Sequence, residues 1–440
     1  MAHRPPHCIW RVTSSTRETS SKGNKMSEQA IVIGAGMVGV SVAWHLQQQG
    51  MQVTLIDRKQ PGEETSYGNA GLIQREAVFP HAFPRDVKEI FKVIPNHNLD
   101  IRYRPAALWH FKNPLMQYWY YSDPKRFKTV VAEWSTLIEH CTETHDEMMQ
   151  AAHAEHLVRK TGWLQLHRTT ETYAKAIAEA EAARAYGVQS RLVNMQEVHE
   201  MEPDLNPSLF VGGIHWQNTW KVTNPSALVK AYAENFVAAG GEFKQCQMYN
   251  MQQENGEWQV NTDQGRLSAK HLVVATGPWS ADVLKGLGYD YPLFPMRGYH
   301  KHYNIAEGKQ LNHSVLDYDC GYVIGPKAAG IRITTGAEFT FQNAPADERQ
   351  LDDVEKKARE YLPLTTAVED KAWIGHRPCM PDMKPVIGPA HKHGNLWFAF
   401  GHAHQGFTLG PATGKLLAQM MLGQATYVNP QPFAANRFEK

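Results

Sequence analysis

The sequence predicts an α/β protein of two joined domains, and three observations carry that prediction. Residues 30–57 read in immediate succession as strand, glycine-rich turn, helix and strand. A chain of 440 residues also exceeds what one small core accommodates. Elsewhere, residues 170–186 (TETYAKAIAEAEAARAY) are rich in strong helix formers and stop at Gly187, whereas 292–304 and 330–338 mix β-branched or aromatic residues with glycine in a strand-like way.

The first unit is built in order. Residues 30–33 (AIVI) form a short, wholly apolar strand of the kind buried in a parallel sheet. Gly34, Gly36 and Gly39 follow, with Ala35, Met37 and Val38 between them, and a helix then runs over 40–49 to Gly50. The second strand, 52–56, stops at Asp57, 18 residues past Gly39. Gly34 permits the tight turn, Gly36 lets a pyrophosphate approach the backbone, and Gly39 lets helix and strand pack closely. The helix N-terminus presents free N–H groups to phosphate. Asp57 is the acid expected about 20 residues on, where it binds ribose hydroxyls. Arg58 could meet a 2′-phosphate, or be a solvated surface charge. This Rossmann-type unit specifies a dinucleotide without saying which.

Hydrophobic residues at 42% and charged residues at 20% describe an ordinary folded globule. A net charge of +1 gives no broad attraction for nucleic acid, and no apolar run reaches membrane-spanning length. The five cysteines are far apart, without a C-x-x-C pair, and no signal peptide stands at the start. A cytoplasmic protein is expected, with contact at the inner membrane face left open. Residues 1–25 are rich in Ser, Thr and Arg with Glu18 as their one acid; they read as a disordered leader or an early start before Met26, or as a transit peptide.

Further segments narrow the dinucleotide. Residues 271–280 (HLVVATGPWS) run from an apolar strand into a turn at Ala275, Thr276 and Gly277, with Trp279 beyond. Residues 65–71 (TSYGNAG) contribute Thr65, Ser66, Asn69, Ala70 and Gly71; residues 373–388 (WIGHRPCMPDMKPVIG) and 395–418 (NLWFAFGHAHQGFTLGPATGKLLA) complete the set. In this order they resemble the D-amino-acid oxidase superfamily of FAD enzymes, above all its bacterial D-amino-acid dehydrogenase branch, with glycine and sarcosine oxidases as relatives. The resemblance runs from about residue 30 to 423. It implies FAD, and a Rossmann-type FAD-binding domain interleaved with an α+β substrate domain on a mixed or antiparallel sheet. The expected division is a leader at 1–28, cofactor portions at 29–77, 223–289 and 373–427, substrate portions at 78–222 and 290–372, and a tail at 428–440.

Oxidising an amino acid with flavin requires anchoring its carboxylate, aiming its α C–H at flavin N5, and stabilising charge on the reduced ring. A guanidinium suits the first task. The resemblance places it in the G-x-R-P element, hence at Arg377, the alternative being an ordinary ion pair with Asp382 or Glu369. Gly401, Gly406, Phe407 and Thr408 are expected along the flavin edge, where a helix start stabilises an anion. His402 is a further candidate, against a plain hydrogen-bonded imidazole; His404 is set aside. Tyr322, and behind it Tyr299, could assist Arg377, against packing alone. Where some relatives carry a second arginine, Lys327 and Arg332 stand here. Cys320 and Cys379 raise covalent attachment, but a cysteine directly after Arg-Pro matches the family's attachment position poorly, so non-covalent FAD is expected. The histidine pairs 140/145, 153/156 and 391/393 lack metal-ligand spacing.

The expected reaction is hydride transfer from a D-amino acid to flavin, yielding a 2-oxo acid and ammonium. The expected acceptor is a quinone or carrier protein in place of oxygen. Rival readings are an oxidase or dehydrogenase of glycine, sarcosine, hydroxyproline or another secondary amine, and a flavoprotein modifying tRNA or nucleosides. Low charge counts against nucleic acid.

Overall fold

The computed structural model describes residues 28–86, 90–91 and 93–438; all of the expected leader except residue 28 lies outside them. Strand Gln29–Ile33 is buried at every position but its first. It pairs in parallel with Gln52–Asp57 on one side and His271–Val274 on the other. Glu242–Gln245, Leu396–Phe400 and Val386–Pro389 extend this to a six-stranded sheet, antiparallel only at the last strand. Both faces are covered, which is why the central strands are apolar throughout. Ala30 and Val32 face a core shared with helices Met37–Gln48 and Gly406–Met421. Ile31 and Ile33 face a core shared with a three-stranded meander, through Met251, Trp258 and Val260.

The two helices touch through small residues. A Cβ on Gly414 would lie 2.6 Å from the Ser41 backbone, so only glycine lets the helices come this close. Pro411 sits inside the second helix and cannot donate to the Phe407 carbonyl four residues back. His145 closes that gap, its Nε2 lying 2.9 Å from the Phe407 oxygen. Burial pushes the imidazole down to about 4, so it stays neutral.

The second sheet has eleven strands and is mixed: Ala337–Phe339 runs parallel to Ile101–Tyr103, Val315–Asp317 runs parallel to Trp163–His167, and the other pairings are antiparallel. Its centre is Phe294–Ile305, which pairs with Gly330–Thr334, Ala337–Phe339, Leu364–Ala367 and Trp373–Cys379. The strand-like stretches at 292–304 and 330–338 therefore become strands, the latter broken at Thr335 and Gly336. The helix expected over 170–186 is Thr170–Ala183, capped by Thr169 and finished by a tight turn before Gly187 at φ 75°. Helix Arg349–Arg359 covers the outer face, burying Leu351, Val354 and Ala358.

Segment 373–379, grouped in sequence with the cofactor portions, is a strand of this large sheet. It also meets the cofactor side, because Cys379 bridges to His402. Residues 428–438 pack down: Phe433 is fully buried and Arg437 pairs with Asp382 at 2.8 Å. No helix among the described residues is long and apolar enough to cross a membrane.

Candidate active site

One continuous cavity of about 1780 Å³ runs from the glycine-rich turn to the inner face of the large sheet. A pocket for one small ligand is about 300–1,000 Å³, so this space suits a dinucleotide and a substrate together.

At the nucleotide end the backbone makes the site. Gly34 has φ 109°, and a Cβ there would lie 2.4 Å from the Ala275 carbonyl oxygen; a Cβ on Gly39 would lie 1.7 Å from the Gly34 oxygen. Gly36 opens onto the cavity, its nearest obstacle being Ser66 Oγ at 3.5 Å. Asp57 Oδ2 accepts the Ala35 N–H at 2.7 Å and Oδ1 accepts from Lys59 at 3.0 Å. Burial raises that carboxyl, and the two N–H donors oppose the rise. Arg58 stacks on the Trp279 ring at 4.3 Å and pairs with Glu64 at 2.9 Å. Its charge is thus matched within the protein.

The 65–71 loop ties this end to the next. Ser66 Oγ accepts the Met37 N–H at 3.0 Å, and Asn69 Oδ1 accepts from Gly71 at 2.7 Å. Arg332 Nη1 donates to the carbonyls of Tyr67 and Asn69 at 2.9 and 2.7 Å. Arg332 is a clamp on this loop, backed by His302 at 2.9 Å. Lys327 is held the same way, by the Val222 carbonyl at 3.0 Å, directly under Gly71.

Most of the expected cofactor residues line the cavity: Gly34, Gly36, Met37, Val38, Asp57, Arg58, Thr65, Ser66, Asn69, Ala70, Ala275, Thr276, Gly277, Trp279, Gly406 and Phe407. Five stand behind the wall. Ala35 contributes its N–H to Asp57 and Gly39 packs under Gly34. Gly71 seats Lys327, Gly401 backs onto Met380, and Thr408 Oγ1 accepts from the Gln74 N–H at 3.3 Å.

Arg377 lines the cavity and forms no ion pair among the described residues. Its alternative partners are taken: Asp382 by Arg437 and Glu369 by His302. Nη1 donates to the carbonyls of Gly336 at 2.8 Å and Arg297 at 3.2 Å, and Nη2 to Thr335 at 3.1 Å. A guanidinium carries five N–H groups. Among the described residues the Nε–H and one Nη2–H have no partner, and Nε with Nη2 is the edge whose side-on fork matches a carboxylate. Gly298 leaves room for this head group, since a Cβ there would lie 2.7 Å from Nη2. Burial lowers the Arg377 pKa, with Cys379 and Asp100 opposing the shift.

Two expected substrate residues are corrected. Tyr322 faces away from the cavity, where its hydroxyl donates to Tyr361 at 3.0 Å in the outer core. Side chains alternate along a strand, and here Val323 takes the cavity side. His402 does line the cavity, but its Nε2 is engaged by Thr413 Oγ1 at 2.9 Å and burial pushes it down to about 3. The imidazole is held neutral, with Nε2 tied to the helix that follows. Tyr299 also reaches the cavity wall, with its hydroxyl spent on Glu338 at 2.6 Å.

Sequence reasoning missed the groups that surround Arg377. His81 and His404 meet at a tilt, with ring centroids 4.6 Å apart on the cavity wall, and burial keeps both below the usual histidine range. Asp100 and Tyr318 line the same end; buried Glu76, bonded to Thr219 and Gln74, lines the cavity elsewhere, and burial pushes it up to about 7. Segments 81–83 and 98–101 carry no motif, so composition offered no signal for them.

Fold and site together define a dinucleotide-binding protein whose Rossmann-type sheet abuts a second, sheet-walled chamber. The family model for FAD dependent oxidoreductases matches residues 29–420, and the chain belongs to that family. It is 28% identical over 422 residues to the D-amino-acid oxidase of Bradyrhizobium diazoefficiens, covering 92% of this chain and 98% of that one. It is 26% identical to the D-amino acid dehydrogenase of Chromohalobacter salexigens, covering 93% and 99%. Among solved structures, glycine oxidase from Geobacillus kaustophilus superposes with TM-score 0.69 at 19% identity, over 94% of this chain and 99% of that one. L-proline dehydrogenase from P. horikoshii gives 0.70 at 19% identity, over 94% and 98%. At that identity these two likenesses speak to the fold alone.

Proposed function

We propose that the chain oxidises a D-amino acid at its α-carbon to a 2-oxo acid and ammonium. The observation that carries this reading is the uncommitted Nε/Nη2 edge of a cavity-lining Arg377 held by three carbonyls. The names of the two curated relatives support the substrate class.

Bound FAD supplies the two-electron acceptor. Gly34, Gly36, the N-terminus at Met37, and Asp57 would hold its dinucleotide part, and the 65–71 loop with Gly406 and Phe407 its ring end. Arg377 takes the α-carboxylate as a bidentate partner and thereby fixes the position of the α-carbon in the chamber. The α C–H departs as hydride while the neutral amine's lone pair forms the C=N bond. Water then adds to the imino acid and ammonium leaves. Neutral His81 and His404 place no competing positive charge beside Arg377, so the carboxylate has one anchor.

FAD is held without a covalent bond in this reading. Neither Cys320 nor Cys379 lines the cavity, and burial pushes both thiols up to about 12, away from the nucleophilic thiolate. In this reading the electron acceptor is a quinone or carrier protein in place of oxygen; the name of one relative, a dehydrogenase, agrees with a non-oxygen acceptor without naming it.

The test is anaerobic bleaching of flavin absorbance by D-amino acids, their L-isomers, glycine and sarcosine, followed by turnover with a dye and a peroxide assay in air. Bleaching by D-isomers with dye turnover and little peroxide is expected. Reduction by sarcosine or glycine alone would replace the substrate class, and peroxide at the dye-coupled rate would replace the acceptor.

A further inference from the structure

The chamber wall beyond Arg377 carries two carboxylates that the proposed reaction does not use. Asp100 and Glu179 both line the cavity. Neither carboxylate accepts a hydrogen bond or enters an ion pair among the described residues; the bonds of Asp100 run through its backbone. The Asp100 side chain lies over Gly321 and Gly336, where a Cβ would come within 2.5 and 2.7 Å of Oδ1. The Gly336 carbonyl is also a seat of the Arg377 guanidinium. Asp100 and Arg377 therefore flank the same residue.

Tyr318 completes the wall. Its side chain is 41% exposed, its ring packs on His167 with centroids 4.7 Å apart, and Glu179 and Asp100 both act on its hydroxyl. The other charges there are committed: Asp319 accepts from the Arg168 N–H at 2.6 Å and from Thr172, and Lys175 pairs with Glu171 at 2.9 Å. His167 is neutral, its imidazole pushed down to about 4 by burial. Both carboxylates stay open to the cavity, yet the protein around them raises Asp100 to about 6 and raises Glu179 by desolvation. A cation arriving between them would relieve that penalty.

We infer that this wall is a subsite for a cationic side chain: the enzyme prefers D-amino acids bearing an ammonium or guanidinium group, which lies against the Tyr318 ring between Asp100 and Glu179 while Arg377 holds the α-carboxylate. An aromatic face attracts a cation through its quadrupole, and two carboxylates supply the charge-assisted hydrogen bonds. The inference rests on the D-amino acid reading and deepens it.

Its test is the ratio of kcat/KM, with a dye acceptor, for D-lysine over D-norleucine and for D-arginine over D-citrulline. D-arginine and D-citrulline match in length and differ in charge; D-norleucine matches the carbon count of D-lysine and lacks its terminal ammonium. A ratio of about ten or more is expected in the wild-type holoenzyme. Both Glu179→Gln and Asp100→Asn should lower it about tenfold, mainly through KM for the cationic member. Equal kcat/KM within each pair, or an equal effect of both variants on charged and neutral substrates, overturns the subsite while D-norleucine turnover upholds the D-amino acid reading. Failure of every D-amino acid to bleach the flavin overturns both.

Discussion

The two ends of the cavity are built on different principles. The nucleotide end is local: strand, turn, helix and acid fall within residues 29–57, and what it offers a ligand is backbone N–H groups and missing side chains. The substrate end is assembled from distant segments, with Arg377 seated by carbonyls of residues 297, 335 and 336 and surrounded by residues 81, 100 and 404. A local backbone site tolerates little change in shape. A dispersed side-chain site can change its chemistry while the fold persists.

The largest effect is expected from changing shape at the nucleotide end. Gly39→Val places a side chain where a bare Cβ already lies 1.7 Å from the Gly34 oxygen, and should cost about 4 kcal/mol or more. Flavin content after purification and the thermal midpoint measure it. Retention of full flavin would show that this contact does not shape the turn.

Changing chemistry at the other end should spare the fold. Arg377→Lys keeps a charge but loses the fork, and is expected to lower kcat/KM by about 10³-fold, within the 2–5 kcal/mol typical of a buried hydrogen-bonded charge pair. Flavin content should be retained. Loss of flavin alongside activity would instead make Arg377 part of the scaffold.

Acid separates the buried groups by sign. His402 is pushed down to about 3 and His145 to about 4, against an unfolded value near 6.5. The unfolded chain binds more protons below pH 6.5, so their contribution to stability is present above that pH and declines as pH falls toward 4 and 3. Glu76 runs the other way. Its folded value is raised to about 7, so its stability cost grows as pH rises from about 4.5 to 7. Glu76→Gln should therefore raise the thermal midpoint by a few degrees at pH 8 and by little at pH 5. Equal shifts at both pH values would mean that Glu76 is charged throughout.

The smallest effect belongs to Tyr322→Phe. It removes one buried hydroxyl pair with Tyr361, at a cost of about 1 kcal/mol, and kcat/KM should not move. A large loss of activity would return Tyr322 to the substrate wall.

The same contrast explains what could be read in the sequence. The Gly34–Gly39 turn was legible because a close backbone approach leaves a residue-type signature at fixed spacing. The place of Arg377 on the cavity wall was legible through the G-x-R-P element that the resemblance supplied. Tyr322 was misplaced because membership in a pocket-lining strand does not settle which face a side chain takes, and one residue of register reverses it. His402 was ambiguous for a related reason: its partner Thr413 lies eleven residues on, across a turn that only the fold brings round. Asp100, Glu179 and Tyr318 left no trace, since a carboxylate in a loop or on a helix reads as solvated surface until a chamber closes over it. Segment 373–379 likewise sits beside cofactor-binding sequence yet pairs with strand Phe294–Ile305, because strand pairing is non-local.

The account turns on Arg377 as the carboxylate anchor, and the reductive half-reaction tests that most directly. Wild-type and Arg377→Lys holoenzyme would be mixed anaerobically with a D-amino acid that bleaches the wild-type flavin, and the reduction rate followed against concentration. A saturating wild-type curve is predicted, with a variant whose half-saturating concentration rises by about tenfold or more and whose rate falls. Superimposable curves for the two proteins would contradict the account.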